Sequence, residues 1–182
     1  MRELLHQLMW RFSMVSNDSK VTTFSSISLI LLKELRLERG IHQAQVADMC
    51  DKTPSAWTKI ETGKSPLSME IFFRVCNGIQ VAPSAVLATM ERYATLLSQN
   101  GWAVISKQLD FSEDLLLKEA QEYYASPGFR AQNSFHRWSF NSVLNGPIYN
   151  QDGTVTPNPV FWFALDPTFK GEQLRKITEG GL

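Results

Sequence analysis

Between Ile27 and Gln99 the apolar residues recur at helical spacing, in short runs separated by turn residues, and no run alternates as a strand would. Five helices are predicted. The first spans Ile27 to Arg39, turns Ile27, Ile30, Leu31 and Leu35 inward, and stops at Gly40, a residue suited to a left-handed C-terminal position. The second is Gln43 to Cys50. The third starts after Thr53, whose hydroxyl can cap a free amide, places Pro54 at the tolerated first position, and ends near Glu61 before Thr62-Gly63. The fourth follows Ser68 and ends at Asn77-Gly78. The fifth follows Ala82-Pro83-Ser84 and carries Val86, Leu87, Met90, Tyr93 and Leu97 on one stripe up to Asn100-Gly101. That is long for the end of a small bundle, so a second role is expected of it.

Upstream, Leu4, Leu5, Leu8, Met9 and Phe12 give Met1 to Met14 a helical stripe, and the Ser/Thr-rich stretch Val15 to Ser26 looks like a linker. A frayed extension, with Met14 as a second start, is favoured there over a partner-binding helix. Downstream the texture changes. Trp102 to Leu109 reads as a strand, Ser112 to Ala125 as a helix stopped by Ser126-Pro127-Gly128, and Phe135 to Leu144, Pro147 to Tyr149 and Thr154 to Leu165 as strands. Asn150 to Gly153 is the hairpin turn between the last two, and Pro157 and Pro159 argue for an edge position. The resulting fold class is mainly α with a C-terminal α+β part. Residues 1–26 are the extension and linker, 27–99 a five-helix domain, and 100–182 a small mixed domain.

Composition narrows the class without naming a function. Hydrophobic residues make up 43% of the 182 and charged residues 20%, the balance of a globular chain that folds on its own. The apolar stretch Val160 to Leu165 is far below the roughly 18 residues that span a bilayer, so no membrane partner and a cytoplasmic location are expected. Cys50 and Cys76 lack metal-type spacing and read as reduced core thiols. With 18 basic against 18 acidic residues, no segment is a polycation, and a nucleic-acid surface has to come from sorting charges onto one face.

The informative feature is a pair of short helices joined by the turn Asp51-Lys52-Thr53, which is helix-turn-helix spacing. Such a pair cannot bury its own apolar face. The other helices must cover it, leaving the outer face of the second member free and of the right width for the major groove.

Leu35-Arg36, Gly40-Ile41-His42-Gln43, Val46-Ala47, Thr53, Ile60-Glu61-Thr62-Gly63-Lys64 and Pro66 resemble, in order and spacing, the Cro and lambda-repressor-like helix-turn-helix proteins known as the Xre family. The resemblance covers Ile27 to about Leu87 and carries nothing beyond Ser98. Ala47 is small where two helices cross closely. The family's base-reading positions fall on Pro54, Ser55, Thr58 and Lys59, with Lys59 the best candidate for guanine. Its phosphate contacts fall on Gln43, Thr62, Gly63 and Lys64, and its structural brace on Arg36 and Glu61. A merely solvated helix face would explain the polar residues but not the turn. Four departures stand out: Asp51 replaces the turn glycine, Pro54 a common glutamine, Trp57 an aliphatic core residue and His42 the usual hydroxyl cap. The fold tolerates all four, but the operator sequence does not transfer.

The rest of the chain carries no recognised chemistry. His6, His42 and His136 are dispersed, and no zinc-protease, nucleophile-elbow, dinucleotide or phosphate-loop string occurs, so no enzyme, cofactor or metal is expected. Glu119 and Glu122 share a helical face with Tyr123 nearby and read as a solvated face rather than a ligand site. Most aromatic residues lie in the second half, among them Trp102, Trp138 and Phe140. Read as a strand, Phe161-Trp162-Phe163 puts neighbours on opposite sides, so these three together with Met90, Tyr93 and Leu97 are the expected oligomer interface.

The reading that follows is a bacterial or phage transcription regulator, repressor-like, binding a near-palindromic operator in double-stranded DNA as a homodimer or dimer of dimers, nucleoid-associated when bound. The second half would oligomerise or sense a small-molecule or protein effector. Two alternatives are an antitoxin-like autorepressor whose second half grips a toxin and a protein-interaction adaptor that no longer binds DNA.

Overall fold

Thr23 sets the start of the first helix: its side-chain oxygen accepts the Ser26 amide at 3.0 Å, satisfying one of the donors a helix N-terminus leaves open. The computed structural model describes residues 20–131 and 142–175. In it β1 (Val21–Thr23) leads directly into α1 (Phe24–Glu38), followed by α2 (Gln43–Met49), α3 (Pro54–Glu61), α4 (Met69–Gly78) and α5 (Pro83–Gln99). The local signals act as expected. Gly40 is left-handed at φ 64°, Thr53 caps Ala56 at 3.2 Å, Pro54 opens α3, and Ser68 caps Ile71 at 3.2 Å. Asp51 holds the left-handed turn conformation at φ 52°, as an aspartate in place of glycine can.

After α5 come β2 (Ala103–Ile105), α6 (Leu115–Ala125), α7 (Pro127–Ala131), a single 3-10 turn at Val143–Asn145, the hairpin β3 (Ile148–Tyr149) and β4 (Val155–Thr156), then α8 (Pro159–Leu165) and α9 (Pro167–Arg175). β1 pairs with β2 in parallel and β3 with β4 antiparallel, Ile148 opposite Thr156. Among the described residues the chain is mainly helical, and the second half has less strand than its composition implies.

Several expectations are corrected. The linker assigned to Val15 to Ser26 contains β1 and the first turn of α1, because Val21–Thr23 finds a partner eighty residues away in β2. The strand over Trp102 to Leu109 shrinks to Ala103–Ile105. The strand over Thr154 to Leu165 survives only at Val155–Thr156, after which Asn158 accepts the Val160 amide at 3.2 Å, Pro159 takes the first helical position, and α8 forms. Aromatic and β-branched content had favoured strand there, and the cap overrides it. The strand over Phe135 to Leu144 lies outside the described residues as far as 141, as do Trp138, Phe140 and the helix at Met1 to Met14.

The buried side chains form one cluster across both halves, from Ile27, Leu31 and Val46 to Leu116, Phe161 and Phe163. α8 lies between α5 and α6. Phe161 stacks on Tyr93 of α5 at 3.9 Å between ring centres, while Phe163 packs against Tyr123 of α6 at 5.6 Å. Polar contacts fasten the same junction. Glu38 of α1 accepts Ser142 Oγ at 2.8 Å and the Val143 amide at 2.6 Å, and Arg92 of α5 donates to the Gly146 carbonyl at 3.1 Å. The buried Asp114 caps α6 through the Leu117 amide at 3.1 Å and accepts Thr22 Oγ1 at 3.0 Å and Ser26 Oγ at 2.5 Å, which ties β1 and α1 to α6.

This packing removes the expected subunit interface. Tyr93, Leu97, Phe161 and Phe163 are at most 1% exposed within a single chain, Met90 is partly buried against Ser28, and Trp162 lies flat on Phe169 with its ring nitrogen donating to Asp166 at 3.2 Å. The stripe along the long α5 is covered by the second half of its own chain. Cys50 and Cys76 are buried free thiols, and burial pushes Cys76 up to about 11, well away from reactive thiolate. Among the described residues, no single helix is long and apolar enough to cross a membrane.

Candidate nucleic-acid interface

α2 and α3 pack on each other with Val46 and Ala47 fully buried between them, so the pair behaves as one unit. The inner side of α3 is Trp57, Ile60 and Glu61, all at most 5% exposed. Its outer side is Pro54, Ser55, Thr58 and Lys59, all exposed. A helix with this sharp division presents four adjacent side chains to an incoming groove.

The brace is present and is larger than a pair. Arg36 Nε donates to Glu61 Oε1 at 2.7 Å and its Nη2 to Oε2 at 3.3 Å, with side chains 9% and 2% exposed. The remaining guanidinium nitrogen donates to the Ile41 carbonyl at 2.9 Å, and the Gln43 amide donates to Glu61 Oε2. Thus α1, the loop before α2, α2 itself and the end of α3 meet at one ion pair. The Gln43 side chain, expected at phosphate, has one of its protons occupied by this network.

The other expected phosphate residues divide. Thr62 Oγ1 donates back to the Thr58 carbonyl at 2.7 Å, and the Gly63 amide donates to the Ile60 carbonyl at 2.9 Å. Both donors are therefore committed within the chain. Lys64 is exposed, with its ammonium 5.9 Å from the centre of the Phe111 ring and free to reach outward. Thr58 Oγ1 donates to the Pro54 carbonyl at 2.8 Å, which leaves it an acceptor on the outer face. Lys59 forms no ion pair among the described residues.

The second half reaches this region through contacts with no local sequence signal. Gly63, at φ +76°, lies against Leu117 of α6 so closely that an added Cβ would collide with it, and Gln121 donates to the Thr62 carbonyl at 3.4 Å. Deeper in, Tyr124 donates to Glu34 at 2.7 Å while the Lys33 ammonium sits 3.5 Å from the centre of the Tyr124 ring. Burial raises the Glu34 carboxyl above its ordinary range, partly offset by that hydroxyl, and burial lowers Lys33. Glu119 and Glu122, read as a solvated face, both pair with Lys170 of α9, at 2.7 and 2.6 Å, a partner that sequence spacing could not reveal.

A family model described as helix-turn-helix matches residues 32–86, the span from the middle of α1 to the start of α5. No curated protein and no solved structure matches the chain. The model's limits, the two short helices at the expected spacing and the buried brace agree, and residues 32–86 are a helix-turn-helix segment of the Xre, lambda-repressor-like family.

Proposed function

We propose that the protein is a sequence-specific transcriptional regulator that inserts α3 into the major groove and binds a near-palindromic operator as a homo-oligomer. The observation that carries this reading is the division of α3 between a clamped inner side and an open outer one. Arg36, Glu61 and Gln43 fix the helix to its neighbours, so base contacts from its outer face meet the duplex in a set geometry. Lys59 donates to guanine O6 and N7, Ser55 supplies a hydroxyl of either polarity, and Thr58 accepts from an exocyclic amine. Lys64 holds the backbone beside them.

Selection from random duplexes with the purified protein tests this directly. The expected result is an enriched motif with dyad symmetry, and Lys59→Ala losing about 1 to 3 kcal/mol of discrimination at one position per half-site. A library that enriches nothing at moderate salt would replace this reading with the protein-interaction adaptor.

Two reading helices must lie one DNA turn apart, about 34 to 36 Å, which requires two chains. Light scattering of the complex is expected to give two chains, or four, per operator duplex. One chain per full site would sink the dimer.

A further inference from the structure

A cleft of about 230 Å3 lies where the loop after α3 meets the N-terminus of α1 and the segment following β2. Its buried lining is mixed, Leu29 and Leu117 beside Thr23 and Ser26, while Ser25, Ser65, Ser106, Lys107 and Gln108 are its more exposed polar lining. Among the described residues, none of those five side chains has a hydrogen bond or ion pair. Polar groups held in one cleft and left unused by the fold are available to a ligand. Lys107 is the cation among them, and among the described residues no carboxylate lines the cleft.

Two features indicate the kind of ligand. The volume is below the about 300 to 1,000 Å3 of pockets that enclose a whole small molecule, which suits a fragment of something larger. The position suits the same conclusion, since Gly63 and Ser65 line the cleft on either side of Lys64. A backbone phosphate matches this lining, its oxygens among the hydroxyls, the amide and the ammonium.

We propose that this cleft takes a backbone phosphate of the duplex next to the bases read by α3, with Lys107 and Ser106 of the second half as contacts lying outside the helix-turn-helix segment. The inference rests on the DNA-binding reading above. In it the second half adds affinity and fixes how α3 is aligned along the duplex, but adds no base readout.

The test measures binding of the selected duplex across a salt series for the wild-type chain, Lys107→Gln, and Arg130→Gln as an equal charge change at a residue lining neither the cleft nor α3. The wild-type chain must first show salt-dependent binding to a selected motif, and its failure there defeats the DNA-binding reading itself. Given that, Lys107→Gln is expected to weaken binding uniformly across sequence variants, leave the selected motif unchanged and flatten the slope of log K against log salt by about 0.9 per chain, with Arg130→Gln near wild type. A slope unchanged in Lys107→Gln, or an equal change in Arg130→Gln, overturns the proposal. A parallel melt in inorganic phosphate separates the other source of the same chemistry. Stabilisation of the wild-type chain but not of Lys107→Gln, with identical DNA slopes, would give the cleft to a free phosphate-bearing ligand and overturn the DNA assignment.

Discussion

Arg36→Ala is expected to lower folding stability by about 3 to 5 kcal/mol, the cost of leaving a buried charge without its partner. Glu61 is 2% exposed at its side chain and receives two of its three hydrogen bonds from Arg36; only the Gln43 amide would remain. The Ile41 carbonyl loses its donor in the same step. An exposed ion pair is worth about 0 to 1 kcal/mol, so chemical denaturation separates the two cases cleanly. A loss below about 1 kcal/mol would show that Glu61 is hydrated in solution. The companion Arg36→Met with Glu61→Leu removes both charges together and is expected to recover much of the stability, because replacing a buried pair by apolar residues is often neutral. That double variant should still bind DNA more weakly, since Gln43 and the Ile41 carbonyl no longer have fixed partners and α3 is held less firmly.

What was legible in the sequence is what neighbouring residues decide among themselves. Gly40, Thr53 with Pro54, Ser68 and the Asp51 turn each fix a helix end within a few positions, and the helices follow those signals, although α1 begins at Phe24 behind the Thr23 cap and not at Ile27. The Arg36–Glu61 brace was legible through family spacing, although the share taken by Gln43 was not. The second half was less legible because its contacts are made at long range. β1 exists only because β2 returns to it, and Gly63 is as much a seat for Leu117 as a turn residue. Phe161-Trp162-Phe163 has a composition equally suited to strand or buried helix. The choice falls to Asn158 and Pro159 in front of it and to the rings of Tyr93 and Tyr123 that receive Phe161 and Phe163. Once that segment is a helix, the argument that its aromatics must face a second subunit no longer holds.

Phe161→Ala then becomes the discriminating experiment for the second half. Phe161 is fully buried and stacked on Tyr93 with 16° between the rings, and Tyr93 in turn accepts the Asn158 amide at 3.0 Å, so the ring holds the start of α8 against α5. Truncating a buried phenylalanine costs about 3 to 5 kcal/mol through lost transfer and the cavity left behind. For a chain of this size that corresponds to a fall in melting temperature on the order of 10 °C. Because one cluster spans both halves, the loss should reach the helix-turn-helix segment as well, in a single shared transition. Trp162→Ala, on a partly exposed ring stacked on Phe169, is expected to cost clearly less. Light scattering on folded Phe161→Ala at low temperature should give the same mass as the wild-type chain. A variant that melts with the wild type but loses mass would return Phe161 to a subunit interface, and two separate melting transitions would divide the chain into independent halves.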